Sequence, residues 1–293
     1  MSYVLLVLTT LFWSGNFVIS RGMHTEIPPF TLAFWRWMTA LLILLSFAVV
    51  HLWRQRELAR THSRFIILQG ILGVGGFNTM VYLAMQTTTA INAVLVNSSI
   101  PVLIAVCSWV LYKEVMSVRQ CFGVLVSLTG VVLIIAHGEL AHLLQVSFNR
   151  GDLYMLVAAV IWALYSANLK RYPQGLHPLA YQSGIVMVGL VVLLPLYLYE
   201  MASGKVMSVT PGSVATIVYV ALFASILAYI FWNRAVRDVG ANKAGPFIHL
   251  MPVFSAILAV LFLGEKIYIY HIQGIALIFT GIAMTTFKVS PGE

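Results

Sequence analysis

Ten apolar segments follow one another along this chain, at residues 3–20, 30–53, 65–85, 90–112, 118–136, 152–170, 178–199, 212–233, 240–262 and 268–287. Each approaches the length of about 20 residues that a helix needs to cross the roughly 30 Å hydrocarbon core of a bilayer. The longest polar connections, HGELAHLLQVSFNRG (137–151) and EMASGKVMSVTPG (200–212), are too small to house a soluble domain. Only 9% of the 293 residues are charged and 60% are hydrophobic, whereas a soluble domain carries roughly a quarter charged residues. The pattern predicts an all-α integral membrane protein of ten transmembrane helices. Tyr3–Ser20 has no basic run before it and no small-residue cleavage site near its end, so it reads as a retained first helix. Cys107 and Cys121 both lie in apolar runs and read as buried, inert thiols.

The net charge of +8 reports topology and implies no nucleic-acid partner. With a cytoplasmic N-terminus, the inner connections hold Arg54, Arg56, Arg60, Arg64, Lys113, Arg119, Lys170, Arg171, Arg234, Arg237, Lys243 and Lys288. Only Arg21, Arg150, Lys205 and Lys266 then lie outside, and Arg36 falls within the second span. The asymmetry predicts that both termini are cytoplasmic.

NSSIPVLIAVCSWVLYKE contains Pro101, with Glu114 thirteen residues on, and MPVFSAILAVLFLGEK repeats the spacing with Pro252 and Glu265. The offset of 151 also pairs Ala84 with Ala235, Ala93 with Ala244, Gly123 with Gly274 and Gly130 with Gly281. Upstream, FWSGNF (12–17) answers IWALYS (161–166). The chain thus reads as two five-helix copies, residues 1–137 and 151–288. Five is odd, so the copies enter the membrane from opposite sides, as in inverted-repeat transporters. A proline inside a helix frees the carbonyl four residues back, here that of Asn97. Each proline lies about eleven residues into its helix, roughly 16 Å at 1.5 Å per residue, near the midplane. Paired interruptions at that depth point to a transport site.

The sequence resembles the EamA branch of the drug/metabolite transporter superfamily. LFWSGNFVISR, PPFTLAFWR, YLAMQTTTAINAVLVNSSIPVL, WVLYKE and GVLVSLTGVVLI carry the resemblance in the first half. GDLYMLVAAVIWALYSANLKR, NRAVRDVGANKAGPFIHLMPVFSAILAVLFLGEK and GIALIFTGIAM carry it in the second. The resemblance implies a ten-helix basket around a central cavity that opens alternately to each side of a bacterial inner membrane. Relatives of this kind move amino acids, other small metabolites or drugs, mostly outward. One departure is Ser183, which stands where the first copy has Arg36.

Several residues are candidates to line such a cavity. Arg36 faces the interior, bridges helices or snorkels to the interface. His249, one turn before Pro252, bridges helices through a neutral ring or titrates in coupling and recognition. Asn97, Ser98 and Ser99 cap freed carbonyls, line the cavity, or do both. Trp13, Asn16, Asn78, Tyr82, Trp162, Tyr165, Tyr229 and Asn233 recur in corresponding helices and serve as lining or as packing. Trp35 suits an interface anchor, and Glu114 and Glu265 suit caps or anchors.

The nine acids lie at span ends or in loops, against the buried carboxylate common in proton-driven export of cationic drugs. Phosphorylated solutes call for several cations, and here there is at most Arg36. No cofactor, metal or catalytic group is expected. The expected partners are a small-molecule substrate and the lipid bilayer, with the protein a monomer or homodimer. The leading expectation is export of a small neutral or zwitterionic metabolite, an amino acid foremost. Multidrug efflux is the alternative, and an intramembrane enzyme or lipid-handling protein a distant one.

Overall fold

A computed structural model describes residues 1–23, 26–139, 149–263 and 268–287. Glu265, Lys266, Lys288 and Glu293 lie outside the described residues. The described residues are helical and contain no strand. In hydrocarbon every backbone donor and acceptor needs an internal partner, which a helix supplies within one segment.

The first half comprises α1 (Ser2–Gly22), α2 (Pro29–Arg54), the short α3 (Arg56–Thr61), α4 (Ser63–Gly70) and α5 (Phe77–Met85). It continues with α6 (Ala90–Asn97), α7 (Ile100–Tyr112) and α8 (Val118–Ile135). Between α4 and α5 the turn widens into a π-helix, π1 (Ile71–Gly76), so α4, π1 and α5 run as one rod. The second half holds α9 (Arg150–Asn168), α10 (Pro178–Ala202), α11 (Pro211–Tyr219), π2 (Val220–Leu227) and α12 (Ala228–Val239). The short α13 (Ala241–Ala244), a 3₁₀ turn (Gly245–His249), α14 (Leu250–Leu263) and α15 (Ile269–Thr286) complete it.

Eight rods among the described residues are long and apolar enough to span a membrane. The helix α1 and the broken run α13–α14 occupy the two other expected spans, 3–20 and 240–262. Local chemistry marks several of the starts. Ser117 with Gln120 and Asn149 with Asp152 form reciprocal capping boxes. Pro29, Pro178 and Pro211 each occupy the first helical position, where the missing N–H has no partner to lose.

The expected interruption at Pro101 takes a definite form. The helix α6 ends at Asn97, and α7 restarts at Ile100 with Pro101 in its first turn. Pro101 therefore opens a second helix and leaves no gap in the interior of one. Cys121 departs from expectation: it is exposed, and Cys107 is only partly buried. Lipid accepts the same residues as a bundle interior, so hydropathy alone does not separate the two faces.

The broadest interfaces are α8 with α15 and α2 with α10. In the first, a Cβ on Gly130 would stand 2.5 Å from the Gly274 carbonyl oxygen, and one on Gly274 2.7 Å from that of Gly130. Gly123 and Gly281 face each other in the same way, a Cβ on Gly123 falling 2.6 Å from the Gly281 carbonyl. Backbone therefore rests on backbone, the small-residue packing typical of membrane helices.

In the second interface, Glu200 of α10 is 3% exposed and caps α2. Its carboxylate accepts from the Phe30 and Thr31 amides at 3.3 and 2.7 Å and from the Thr31 hydroxyl at 2.9 Å. At the other end of α2, the His51 and His177 rings stack at 3.6 Å, within 1° of parallel. Gln55 clamps the same turn, donating to the Gly175 carbonyl at 2.9 Å and accepting from the His177 amide at 2.7 Å. His177 Nδ1 caps α10 by accepting from the Leu179 amide.

Burial, and then the neighbouring His51, hold the His177 imidazole below its ordinary value of 6.5. The folded protein thus favours the neutral ring. That contribution is present above about pH 6.5 and is lost as pH falls through the lowered folded value. Melting temperature is expected to drop on acidification from pH 8 to pH 5, and to drop less in His177→Asn, which caps without titrating. Equal drops in the two proteins would refute a role for His177.

Candidate functional site

Aromatic residues dominate the interior where α1, α2, α9 and α12 meet. Trp13 lies edge-on to Trp162 at 5.2 Å between ring centres and 5.5 Å from Trp232. Trp37 meets Tyr229 at 5.0 Å, nearly perpendicular, and Trp162 lies 5.1 Å from Tyr165. Edge-to-face pairs at such separations place the positive rim of one ring against the negative face of the next.

The two π-helices serve this cluster. A wider turn disturbs the regular ladder and makes carbonyls available to side chains. Tyr229 donates to the Gly73 carbonyl in π1 at 2.7 Å, and Trp13 Nε1 to the Ala224 carbonyl in π2 at 3.2 Å. Gly73 also lacks the Cβ that would collide with the Tyr165 ring at 2.5 Å. Asn78 donates to the Val74 carbonyl at 2.6 Å and sits beside the Tyr229 hydroxyl.

A chain of buried polar groups continues from the rings. Tyr165 donates to Asn233 Oδ1 at 2.7 Å; Asn233 reaches Gln182 at 3.4 Å, and Gln182 the Ser225 carbonyl at 3.3 Å. On the other side Tyr112 donates to Asn168 Oδ1 at 2.6 Å, and Asn168 to Gln69 Oε1 at 3.3 Å. Gln69 in turn donates to the Tyr165 carbonyl and the Tyr181 hydroxyl. Beyond this chain, the Arg237 guanidinium stacks 3.7 Å over Tyr172. Burial pushes the Tyr172 phenol up to about 12 despite the opposing pull of Arg237. It therefore stays a neutral donor, to the Leu176 carbonyl at 3.1 Å.

His249 belongs to a second group. It is 1% exposed, with Nε2 3.0 Å from the Ser98 carbonyl and Nδ1 2.7 Å from Ser127 Oγ. A carbonyl only accepts, so Nε2 carries a proton. Nδ1 accepts from the Ser127 hydroxyl in the neutral ring and would donate to it in the charged one, with Ser127 then turning to the Val124 carbonyl at 3.0 Å. The side chain braces the break in α6–α7 against α8. Ser98 also donates to Val94 O, and Ser14 of α1 to the Met251 carbonyl.

The structure thus brings Trp13, Asn78, Trp162, Tyr165, Tyr229 and Asn233 into one linked interior, and groups Ser98 with His249 near the helix breaks. Pro101 is buried there, whereas Asn97 and Pro252 are half-buried. Asn16 is half-buried on α1, and Tyr82 is half-buried against Phe30, their ring centres 6.3 Å apart. Trp35 is partly exposed, as an anchor would be. Glu114 pairs with Lys170 at 2.6 Å.

Arg36 is 5% exposed, facing inward, with its guanidinium carbon 5.1 Å from the Trp37 ring centre. Sequence reading missed Gln69, Asn168, Gln182, Tyr181 and Ser127. The first three carried a usable signal, since an amide inside an apolar span needs a partner. Asp152 is likewise 4% exposed. It accepts from Thr88, from Asn92 at 2.8 Å and from the Asn149 amide at 2.7 Å, which ties α6 to the start of α9.

Comparison with known proteins agrees with this architecture. The profile of the EamA-like transporter family matches residues 1–136 and 149–287. An uncharacterized transporter of Archaeoglobus fulgidus is 30% identical over 298 residues, covering 98% of this chain and 98% of its own. The uncharacterized transporter YyaM of Bacillus subtilis is 25% identical over 280 residues, covering 96% of this chain and 92% of its own. A solved crystal structure shares the fold at a TM-score of 0.80 and 19% identity, over 97% of this chain and 96% of that one.

Proposed function

Because the chain belongs to the EamA-like transporter family, we propose that it exports a small neutral or zwitterionic metabolite, an amino acid foremost, by alternating access across a bacterial inner membrane. The family match and eight apolar rods make it a multi-pass membrane transporter. The observation that carries the substrate class is the interior of rings, amides and hydroxyls, in which Arg36 is the one fixed cation among the described buried residues. Such a lining suits compact solutes of low net charge, whereas polyanions call for several cations. A cationic drug would need a free acid. Asp152 and Glu200, the buried acids among the described residues, are both engaged at helix starts.

Two contacts support an inverted repeat as the moving framework. Ser98 and His249, 151 residues apart, touch each other. Gly123 meets Gly281 while Gly130 meets Gly274, the same contact with the two copies exchanged. A pair of copies related by an axis in the membrane plane brings equivalent residues together where they meet that axis.

The test is counterflow of radiolabelled amino acids into liposomes containing the purified protein. At least one is expected to exchange saturably and only when protein is present. Failure of every amino acid in the panel would overturn the assignment.

A further inference from the structure

We propose, resting on the transport reading above, that Arg36 is the docking point for the carboxylate of the transported solute, and that the substrate class is a zwitterion with a single carboxylate and a compact apolar body. A guanidinium taken out of water is strongly unfavourable unless paired. Arg36 nevertheless forms no hydrogen bond or ion pair among the described residues, and its Nε is fully buried without an acceptor. Trp37 Nε1, on the ring beneath that guanidinium, is a second buried donor with no acceptor. Two N–H donors and one fixed positive charge around a single indole match a planar anion with two acceptor oxygens. An arginine offers its donors in a rigid fork that fits a carboxylate.

The surroundings narrow the choice. Trp37 meets Tyr229, and Tyr229 meets Trp13 at 6.1 Å, so the indole beneath the Arg36 guanidinium belongs to a group of rings that suit an apolar body. One cation balances one carboxylate and leaves a second anionic group uncompensated. The ammonium of the same solute would rest on aromatic faces and side-chain amides, since Glu200 and Asp152 are held by backbone amides elsewhere.

Thermal unfolding of the intact protein in detergent tests the pairing, with 3-phenylpropionate and its uncharged amide as probes. A ligand that binds only the folded state raises the melting temperature with concentration. In the wild type the carboxylate is expected to raise it by several degrees and the amide to leave it within about 1 °C. Arg36→Gln is expected to lose the carboxylate response. Arg36→Lys keeps the charge without the fork, and its half-saturating concentration is expected to rise at least about tenfold. Equal responses to acid and amide in the wild type would overturn the proposal, as would no response to the acid. So would an undiminished carboxylate response in Arg36→Gln, or an unchanged half-saturation in Arg36→Lys if the Gln variant does not fold. Liposomes that exchange amides as fast as carboxylates would leave the transport reading standing and remove Arg36 from it; liposomes that exchange nothing would remove the transport reading itself.

Discussion

Gly281→Val is expected to separate α8 from α15 and to lower the melting temperature by roughly 5 °C or more, for a loss of about 2–3 kcal/mol. A Cβ at this position would stand 2.5 Å from the Ser127 amide nitrogen and 2.7 Å from the Ser127 Cβ, and closer still to the Gly123 carbonyl. None of these atoms is the end of a flexible side chain, so the only relief is for the helices to part. Parting them also draws Ser127 away from His249, whose Nδ1 it holds at 2.7 Å. Thr280→Ala, one residue earlier on the exposed face of α15, is the matched control and is expected to stay within about 0.5 kcal/mol. Thermal unfolding in one detergent measures both. A Gly281→Val protein as stable as the control would mean that the crossing does not hold the two helices together.

Glu200→Ala is expected to cost roughly 3 kcal/mol. It leaves the Phe30 and Thr31 amides and the Thr31 hydroxyl, all buried, without an acceptor, and each unsatisfied buried group costs about 1–3 kcal/mol. It also removes a negative charge from the positive end of α2. Glu200→Gln keeps one acceptor oxygen and should fall between the Ala variant and the wild type. Glu57→Ala breaks an ion pair whose partners are mostly exposed, and is expected to change stability by less than about 0.5 kcal/mol. The prediction fails if unfolding curves place Glu200→Ala beside Glu57→Ala.

Glu200 also shows where sequence reading reaches its limit. Its place at the end of an apolar segment was legible; its burial was not, because its partners lie 169 and 170 residues away. Asp152 repeats the lesson, with Asn92 60 residues back in the chain. The rods themselves follow from hydropathy, since a span must be both long and apolar. The break beside Pro101 was legible because proline has one place in a helix where it does no harm. The offset between Ser98 and His249 could be read from the chain, but that their equivalence becomes a contact, and that Ser127 takes the second nitrogen, depends on how the helices pack. The π-helices divide in the same way. The first carries Gly73, Gly75 and Gly76, whereas the second, VALFASIL, has the composition of any membrane helix.

The ring cluster has an optical consequence. Trp13, Trp162 and Trp232 stand with their ring centres 5.2–5.8 Å apart in fixed, unlike orientations. Their transition dipoles couple at such separations, so the three indoles absorb and emit partly as one chiral chromophore. Near-ultraviolet circular dichroism should carry that couplet, and removing any one ring should change the whole band rather than subtract a third of it. The interior that would hold a solute thus carries its own spectroscopic reporter, sensitive to rotations of a single side chain.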